Sequence, residues 1–212
     1  MDSCPLYCKL ESSFYSKDKL RTYLKCGNCE LIFVSREDLI SPDEEKERYQ
    51  SHQNSSEDEG YKTYLNKMVD LITPELKPGL IGLDFGCGRT TLLASLFHHQ
   101  GLKVDSFDLY FLPNQDIWQK KYDFIILSEV IEHLHYPLEE MKKLRTLLQP
   151  GGKIFIKTKF YPLSLELFEN WFYKRDKTHI QFFNPHSMNV LAQAISLKGA
   201  EVLEEDLLVL KE

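Results

Sequence analysis

From Tyr61 onward the apolar positions of the chain alternate between two periods. Tyr61, Tyr64, Leu65, Met68, Leu71 and Ile72 recur at three- and four-residue spacing, which predicts an amphipathic helix over 57–72. Pro78-Gly79 ends that pattern. The short apolar run LIGLDFG then reads as a buried strand entering a glycine turn at Gly86. A helix is predicted over roughly 90–100, then strands KVDSFDL and YDFIILS, a helix PLEEMKKLRTLL, and strand KIFIKTK after the turn Pro150-Gly151-Gly152. Helical spacing returns over 164–174 and 185–198, followed by two short strands, AEVLEE and LLVLKE. Strands alternating with helices imply an α/β fold, a doubly wound and mostly parallel sheet with crossover helices. The last two strands lie too close together for a crossover and are expected as an antiparallel hairpin at the sheet edge.

The first 60 residues are different. Residues 1–35 hold four of the five cysteines and end in a β-like run, LIFVS. Residues 36–60 are polar and charged, with Pro42 and no sustained apolar stripe, as in a linker that mixes short helix with loop. Within it, Ser56 and Glu59 have the spacing of a capping box. The expected organisation is a small module over 1–35, a linker or covering arm over 36–60, and the α/β domain over 61–212. A chain of 212 residues suits one such domain with a short appendage.

Charge and composition narrow the function. A net charge of -6 argues against binding nucleic acid by general phosphate neutralisation, although it leaves room for a local basic patch. The N-terminal stretch MDSCPLYCKLESSF lacks the apolar core of a signal peptide, and no run approaches the ~20 apolar residues of a membrane span, so a soluble, cytoplasmic protein is expected.

In that setting cysteine pairs more often bind metal than form disulfides. Cys4-x3-Cys8, then 17 residues, then Cys26-x2-Cys29 has nearly the spacing of a zinc ribbon, the first pair being one residue wide. Four thiolates satisfy tetrahedral zinc, and so short a segment has little other means of folding. The alternative is four reduced, unligated cysteines.

Leu83-Asp84-Phe85-Gly86-Cys87-Gly88-Arg89-Thr90 is the strongest local signal. A strand running into G-x-G lets backbone approach a ligand closely, and the next helix presents free N–H groups. Asp84 precedes the first glycine by two residues. Asp108 closes the next strand, 22 residues after Gly86, where an acid can accept both ribose hydroxyls of an adenosine ligand. A dinucleotide-binding dehydrogenase fits less well. Thr91 stands where its third glycine belongs, and an acid before the loop would face a pyrophosphate. That acid suits a ligand with an ammonium group and no phosphate. A purely structural turn is the remaining alternative.

Residues 80–212 resemble the class I S-adenosylmethionine-dependent methyltransferases. GLDFGCGRT resembles that family's first motif, FDLY its ribose-binding acid, YDFIILSEVIEHL its fourth motif, and LLQPGGKIFIKT the strand turn that follows. The resemblance implies S-adenosylmethionine as cofactor, held by Asp84, Gly86, Cys87, Gly88, Asp108, Leu109, Ser128 and Glu129. The arm before the first strand is implied to fold over it, with Tyr61 the foremost contact and His52 and Asn54 further candidates. There is one departure. Only 13 residues separate Asp108 from Tyr122, where the family usually fits another helix and strand, so one element is expected to be missing after the second strand. Trp118 or Phe111 is then a candidate to cover the adenine, with ordinary packing the better expectation for both.

Beyond the strand FIILS, helical spacing would put Glu129, Glu132 and His133 on one face. With His179 they form a candidate site for Mg2+ or a similar divalent cation. The Glu-x-x-Glu-His part resembles the ubiquinone-pathway O-methyltransferases, and two Glu with two His resemble the RNA 3′-terminal ribose methyltransferases. Two alternatives stand beside the metal: general base catalysis by His133 or His179, with Glu132 nearby, and a purely structural role. The aromatic-rich stretch 165–173 with Phe182 and Phe183 falls where this family builds its acceptor pocket, but such a stripe is more often core. Lys174, Arg175 and Lys177 leave room for an anionic group on the acceptor.

The function expected is methyl transfer to an oxygen, carbon or nitrogen of a small molecule, by in-line displacement. Two other readings are carried. One is a non-catalytic scaffold or sensor that binds a protein partner through the ribbon, and the other is an RNA-terminus methyltransferase.

Overall fold

A computed structural model describes residues 2–51 and 58–212. In chain order its strands are β1 (Ser12–Lys17), β2 (Thr22–Cys26), β3 (Ile32–Val34), β4 (Ile81–Phe85), β5 (Lys103–Phe107), β6 (Tyr122–Ser128), β7 (Leu148–Lys157), β8 (Gln181–Phe182), β9 (Gly199–Glu204) and β10 (Leu207–Lys211). The α-helices are α1 (Pro42–Ser51), α2 (Glu59–Ile72), α3 (Leu92–His99), α4 (Pro137–Leu147), α5 (Leu165–Glu169) and α6 (Pro185–Ala194).

The larger sheet has the order β5-β4-β6-β7-β10-β9. Its first four strands are parallel, and β10 and β9 run antiparallel as the expected edge hairpin. Buried on both faces, the middle strands read as unbroken apolar runs: Phe124, Ile125, Ile126 and Leu127 on β6 and Ile154, Phe155 and Ile156 on β7 are all at 0% exposure. Phe124, Ile126 and Phe155 pack under α2 and α3, and Ile125, Leu127, Ile154 and Ile156 pack on the opposite face. The strand order reverses between β4 and β6, which places the ends of β4, β5 and β6 around the crevice where open α/β sheets bind ligands.

Between β5 and β6 the chain forms only a tight turn and the 3-10 helix Gln115–Gln119, so no further strand or crossover helix fits there. Ile117 of that turn is buried, and Trp118 packs edge-on against Phe107 and Phe85 at 5.8 and 6.3 Å between ring centres. Trp118 is thus part of the packing at the end of β4 and β5.

The smaller sheet, β1-β2-β3-β8, departs from the expectation of a self-contained module over 1–35. Its fourth strand is Gln181–Phe182, from the far end of the chain. Cys4, Leu6, Cys26, Cys29, Leu31 and Phe33 share a core with the large sheet, while Tyr23, Ile32 and Val34 share a second with Tyr161, Phe168, Tyr173 and Phe182. The helix expected over 164–174 is broken in two: α5 ends at Asn170 and a 3-10 turn spans Phe172–Arg175. The break lets Phe168 and Tyr173 both bury against this sheet, so the aromatic stripe is mainly core, with Leu167 and Phe172 left on the surface. Helix α2 starts two residues later than expected and is capped by Asp58, which accepts from the Tyr61 amide at 3.0 Å. His52, Asn54 and Ser56 lie outside the described residues. Among the described residues no helix is long and apolar enough to cross a membrane.

Candidate active site

The glycine loop leaves β4 through Gly86, whose φ of +82° requires glycine and whose added Cβ would stand 2.5 Å from the Val130 side chain. The amides of Gly86 and Cys87 donate to the Phe107 carbonyl at 2.7 and 3.0 Å, which pins the loop to the end of β5. Gly88 has φ +68° and open space where a Cβ would stand. Close approach of a ligand needs such a cradle.

Two carboxylates flank this loop. Asp84 is 2% exposed, and burial with Asp108 nearby pushes its carboxyl up to about 7. A buried acid held near neutrality in this way would gain from an approaching cation. Asp108 accepts the Gly88 amide on Oδ2 at 3.0 Å and the Tyr110 and Phe111 amides on Oδ1 at 2.8 and 3.0 Å. With three of roughly four acceptor sites engaged, capacity for one further hydroxyl remains, fewer than the two expected. Leu109 is exposed at the mouth. Tyr61, on the first turn of α2, stands close enough that Asp84 and Cys87, together with burial, push its hydroxyl up to about 12. Its ring stacks on Tyr64.

Helix α1 covers the other side. None of its residues is buried, and it is anchored by polar and aromatic contacts. Glu45 meets His135 at 3.2 Å, Arg48 meets Asp176 at 2.7 Å, and the Gln50 carbonyl accepts from Arg89 at 3.0 Å. The Tyr49 ring lies 5.5 Å from Tyr110 and 5.4 Å from His133, so this one side chain spans the nucleotide mouth and the histidine cluster. Arg89 stacks on Phe111 at 4.4 Å, leaving that aromatic occupied by a guanidinium.

Beyond β6 the chain does not continue as an α-helix. Glu129 adopts φ +53° and Ile131–His133 form a single 3-10 turn, so Glu129 does not share a face with Glu132 and His133. Glu129 instead accepts from Tyr64 at 3.2 Å and from Tyr173 at 2.9 Å. Ser128, at the end of β6, is half-buried. Glu132, His133 and His179 do converge, with candidate ligand atoms within 4.8 Å of one another. Glu132 is fully buried, bonded through Oε1 to the Tyr173 hydroxyl at 2.5 Å, and burial with Glu129 beside it pushes it up to about 8. The Nδ1 atoms of His133 and His179 lie 3.0 and 2.7 Å from the carbonyls of Thr178 and Tyr173. A carbonyl accepts only, so each Nδ1 carries a proton, and in the neutral form of each ring Nε2 holds the lone pair.

The loop that bears His179 is held by a residue the motifs did not indicate. Arg21, 5% exposed, donates to the carbonyls of Lys174, Asp176, Lys177 and His179. Its only sequence signal is a lone arginine at the foot of β2. Lys174 is likewise buried, paired with Asp18 at 3.4 Å and over the Tyr23 ring, so it is not open to an anionic acceptor; Arg175 and Lys177 are exposed.

The four cysteines gather with all Sγ atoms within 4.8 Å of one another. Cys4 and Cys29 are 3.6 Å apart, too far for a disulfide and close to the edge of a tetrahedral thiolate set. The amides of Leu6 and Asn28 donate to Cys4 and Cys26, both at 3.4 Å, and Tyr7 at φ +53° absorbs the extra residue of the wider first pair.

Residues 57–202 match the family described as a methyltransferase domain, and since that is more than half of the chain, the chain belongs to this family of enzymes. An 82-residue stretch is 28% identical to the ubiquinone biosynthesis O-methyltransferase of Acinetobacter baumannii, covering 37% of this chain and 34% of that protein. The match thus spans about a third of the relative's length. Among solved structures, 1,6-didemethyltoxoflavin-N1-methyltransferase of Burkholderia thailandensis, bound to 1,6-didemethyltoxoflavin and S-adenosylhomocysteine, aligns with TM-score 0.56 at 15% identity, over 94% of this chain and 97% of that one. An O-methyltransferase family protein from Burkholderia thailandensis aligns with TM-score 0.54 at 16% identity, over 79% of this chain and 62% of that one. At these identities the likeness is one of fold.

Proposed function

We propose that the protein transfers a methyl group from S-adenosylmethionine to a small-molecule acceptor. The observation that carries this reading is the pairing of buried Asp84 with the open cradle at Gly88, at the ends of parallel strands. It is a place for a cationic, phosphate-free adenosyl ligand. Asp84 would face the ammonium or sulfonium group, Asp108 one ribose hydroxyl, and Tyr61 the methionine end. Gly86, Cys87, Gly88, Leu109, Ser128 and Glu129 stay in the proposed cofactor set, with Glu129 acting through Tyr64 and Tyr173.

The cofactor supplies an electrophilic methyl group, and the chain's own residues align the acceptor and take its proton. In their neutral forms His133 and His179 hold the lone pair on Nε2, so either is suited to accept that proton. Buried Glu132 tunes His133, whose Nε2 lies 4.0 Å from its Oε1. Tyr49 closes the cleft above His133 and lines the acceptor's path. Mg2+ is not part of this proposal, because two imidazoles and one carboxylate are a poor donor set for a hard, oxygen-seeking cation. The same three donors suit a softer divalent ion, and their convergence favours that second reading over a purely structural role.

The cysteine cluster is proposed to hold structural zinc, which its donor set and N–H···S contacts fit. Its part in the enzyme is to brace β3 and Arg21 against the loop that carries His179. That role makes a free partner-binding ribbon unnecessary.

Calorimetric titration with S-adenosylmethionine, S-adenosylhomocysteine and NAD tests the class. Micromolar binding of both adenosyl compounds, lost in Asp108→Ala, is expected; preference for NAD would overturn it. Single-turnover assays of His133→Ala and His179→Ala on an acceptor that the wild type methylates test the base. Unchanged turnover in both removes the histidines from catalysis.

A further inference from the structure

The proposed cofactor contacts fall in an order along the crevice: the methionine end at Asp84 on β4, and a ribose hydroxyl at Asp108 just beyond β5. In an adenosyl ligand the methionine chain leaves the furanose ring at C5′ and the base leaves it at C1′, on the opposite flank. A ligand whose chain runs inward to β4 therefore sends its adenine outward, past β5. That strand is the edge of the larger sheet. Between β5 and β6 there are only the turn 108–112, closed by paired backbone bonds between Asp108 and Leu112, and the 3-10 helix Gln115–Gln119.

The turn is rich in exposed apolar side chains. Leu109, Tyr110 and Leu112 are 66, 39 and 38% exposed. The Tyr110 ring meets Tyr49 at 5.5 Å, and Phe111 carries the Arg89 guanidinium at 4.4 Å. Leu109 and Leu112 are then the open apolar surface of the turn. Arg89 follows Gly88, whose amide donates to Asp108, so its guanidinium is held near the ribose position with its outer face exposed. One exposed leucine means little. Two in a five-residue turn, directly beyond the ribose carboxylate and near a flat cation, suit a planar aromatic base. The 3-10 helix does not wall this place off. Its large side chains serve the core: Ile117 is buried, and Trp118 packs on Phe85 and Phe107, while Gln115, Asp116 and Gln119 are exposed.

We propose that the cofactor's adenine lies over Leu109 and Leu112 at the open edge of the sheet, with its N6 edge toward solvent, so that the site also takes adenosyl ligands enlarged at N6. This placement rests on the cofactor reading above and adds to it a class of base-modified ligand. N6 lies on the edge of adenine remote from the ribose, so a substituent there continues outward, away from β5. Leu109 supplies contact to the base without enclosing it.

Calorimetric titration of the full chain with S-adenosylhomocysteine, and separately with N6-benzyl-S-adenosylhomocysteine, tests this. The two should bind the wild type with affinities less than about tenfold apart. Leu109→Ser alters an exposed position, and near-ultraviolet circular dichroism should show it folded. It should weaken both ligands by about tenfold, because the base of each loses the same apolar contact. A benzyl compound bound more than about tenfold more weakly than the parent would overturn the proposal, since N6 would then face a closed wall. Unchanged affinities in Leu109→Ser would also overturn it, by placing the base elsewhere. If neither compound binds the wild type, the cofactor reading itself fails and takes this placement with it.

Discussion

Replacing Asp84 by asparagine should stabilise the protein while disabling its cofactor site. Asp84 is buried beside Asp108, and its carboxyl is pushed from an ordinary 3.8 up to about 7. At 1.36 kcal/mol per pH unit, that rise corresponds to about 4 kcal/mol as an upper bound. Relaxation and water entry reduce it, and about 2 kcal/mol is the expected scale. Between pH 4 and 7 the folded chain keeps a proton that the unfolded chain has released. The unfolded state then binds fewer protons, so this group makes stability fall as pH rises through that window and adds no slope above it. Asparagine has no such proton. The difference in urea-unfolding free energy between Asp84→Asn and wild type should therefore grow by about 1.5 kcal/mol from pH 5 to pH 8, in favour of the variant. Glu132, pushed up to about 8, contributes a similar slope to both proteins and cancels in the difference. In the same samples, S-adenosylmethionine should bind the variant at least ~30-fold more weakly, at 1.4 kcal/mol per tenfold. A pH-independent difference would mean that Asp84 is solvated and charged throughout. An undiminished affinity would remove it from the cofactor site.

Arg21→Met should destabilise the fold by about 2–4 kcal/mol, because it leaves the buried carbonyls of the Lys174–His179 loop without their donor. It should lower turnover in a methyl-transfer assay while leaving the Kd for S-adenosylmethionine unchanged; a change in Kd alone would refute the positioning role. The two loop glycines should separate by readout. Gly86→Ala forces a Cβ into Val130 and should lower Tm by several degrees, whereas Gly88→Ala has open space and should cost only about 1 kcal/mol of folding while blocking adenosyl binding. Calorimetry and thermal melts on the same preparations decide whether the two effects part. The purified chain should carry one zinc by atomic absorption, lost together with a large fall in Tm in Cys26→Ser. Full stability in a strong chelator, with no zinc bound, would leave the four thiols as mere packing.

The alternation of strands with helices, the edge hairpin and the glycine turn after β4 were legible because they rest on local chemistry. Central strands such as Phe124–Leu127 must be apolar on both faces, and a turn through Gly86 at positive φ admits no other residue without strain. The convergence of Glu132, His133 and His179 was also foreseen, but for a partly wrong reason. Helical spacing would have included Glu129, yet its positive φ diverts the chain, and α4 cannot begin before Pro137. Tertiary bonds fix the turn instead: the Ile180 amide to the Glu132 carbonyl, and His133 Nδ1 to Thr178. Helix α1 was read only as short helix mixed with loop because it buries nothing, so no apolar stripe announces it. Strand β8 is two residues long, below the length at which a period exists, and its partner lies some 150 residues upstream.

That short strand is where the two halves of the chain depend on each other. The Val34 amide donates to the Ile180 carbonyl at 3.0 Å, and the Ile180 amide donates to the Glu132 carbonyl at 2.9 Å. A continuous run of backbone bonds thus leads from β3, beside the cysteine cluster, to the turn that carries His133. Arg21 reaches from the same small sheet to the carbonyl of His179 and to those of the residues just before it. The histidine rings, 4.6 Å apart, come from segments more than forty residues distant in sequence, and neither segment is a regular helix able to hold its side chain unaided. Removing the cysteine module therefore takes away the support of the pair as well as a cap on the core. Loss of zinc should reduce turnover at temperatures where the large sheet is still folded and still binds S-adenosylmethionine. If turnover and cofactor binding instead vanish together, the module supports the whole domain and not the histidine pair in particular.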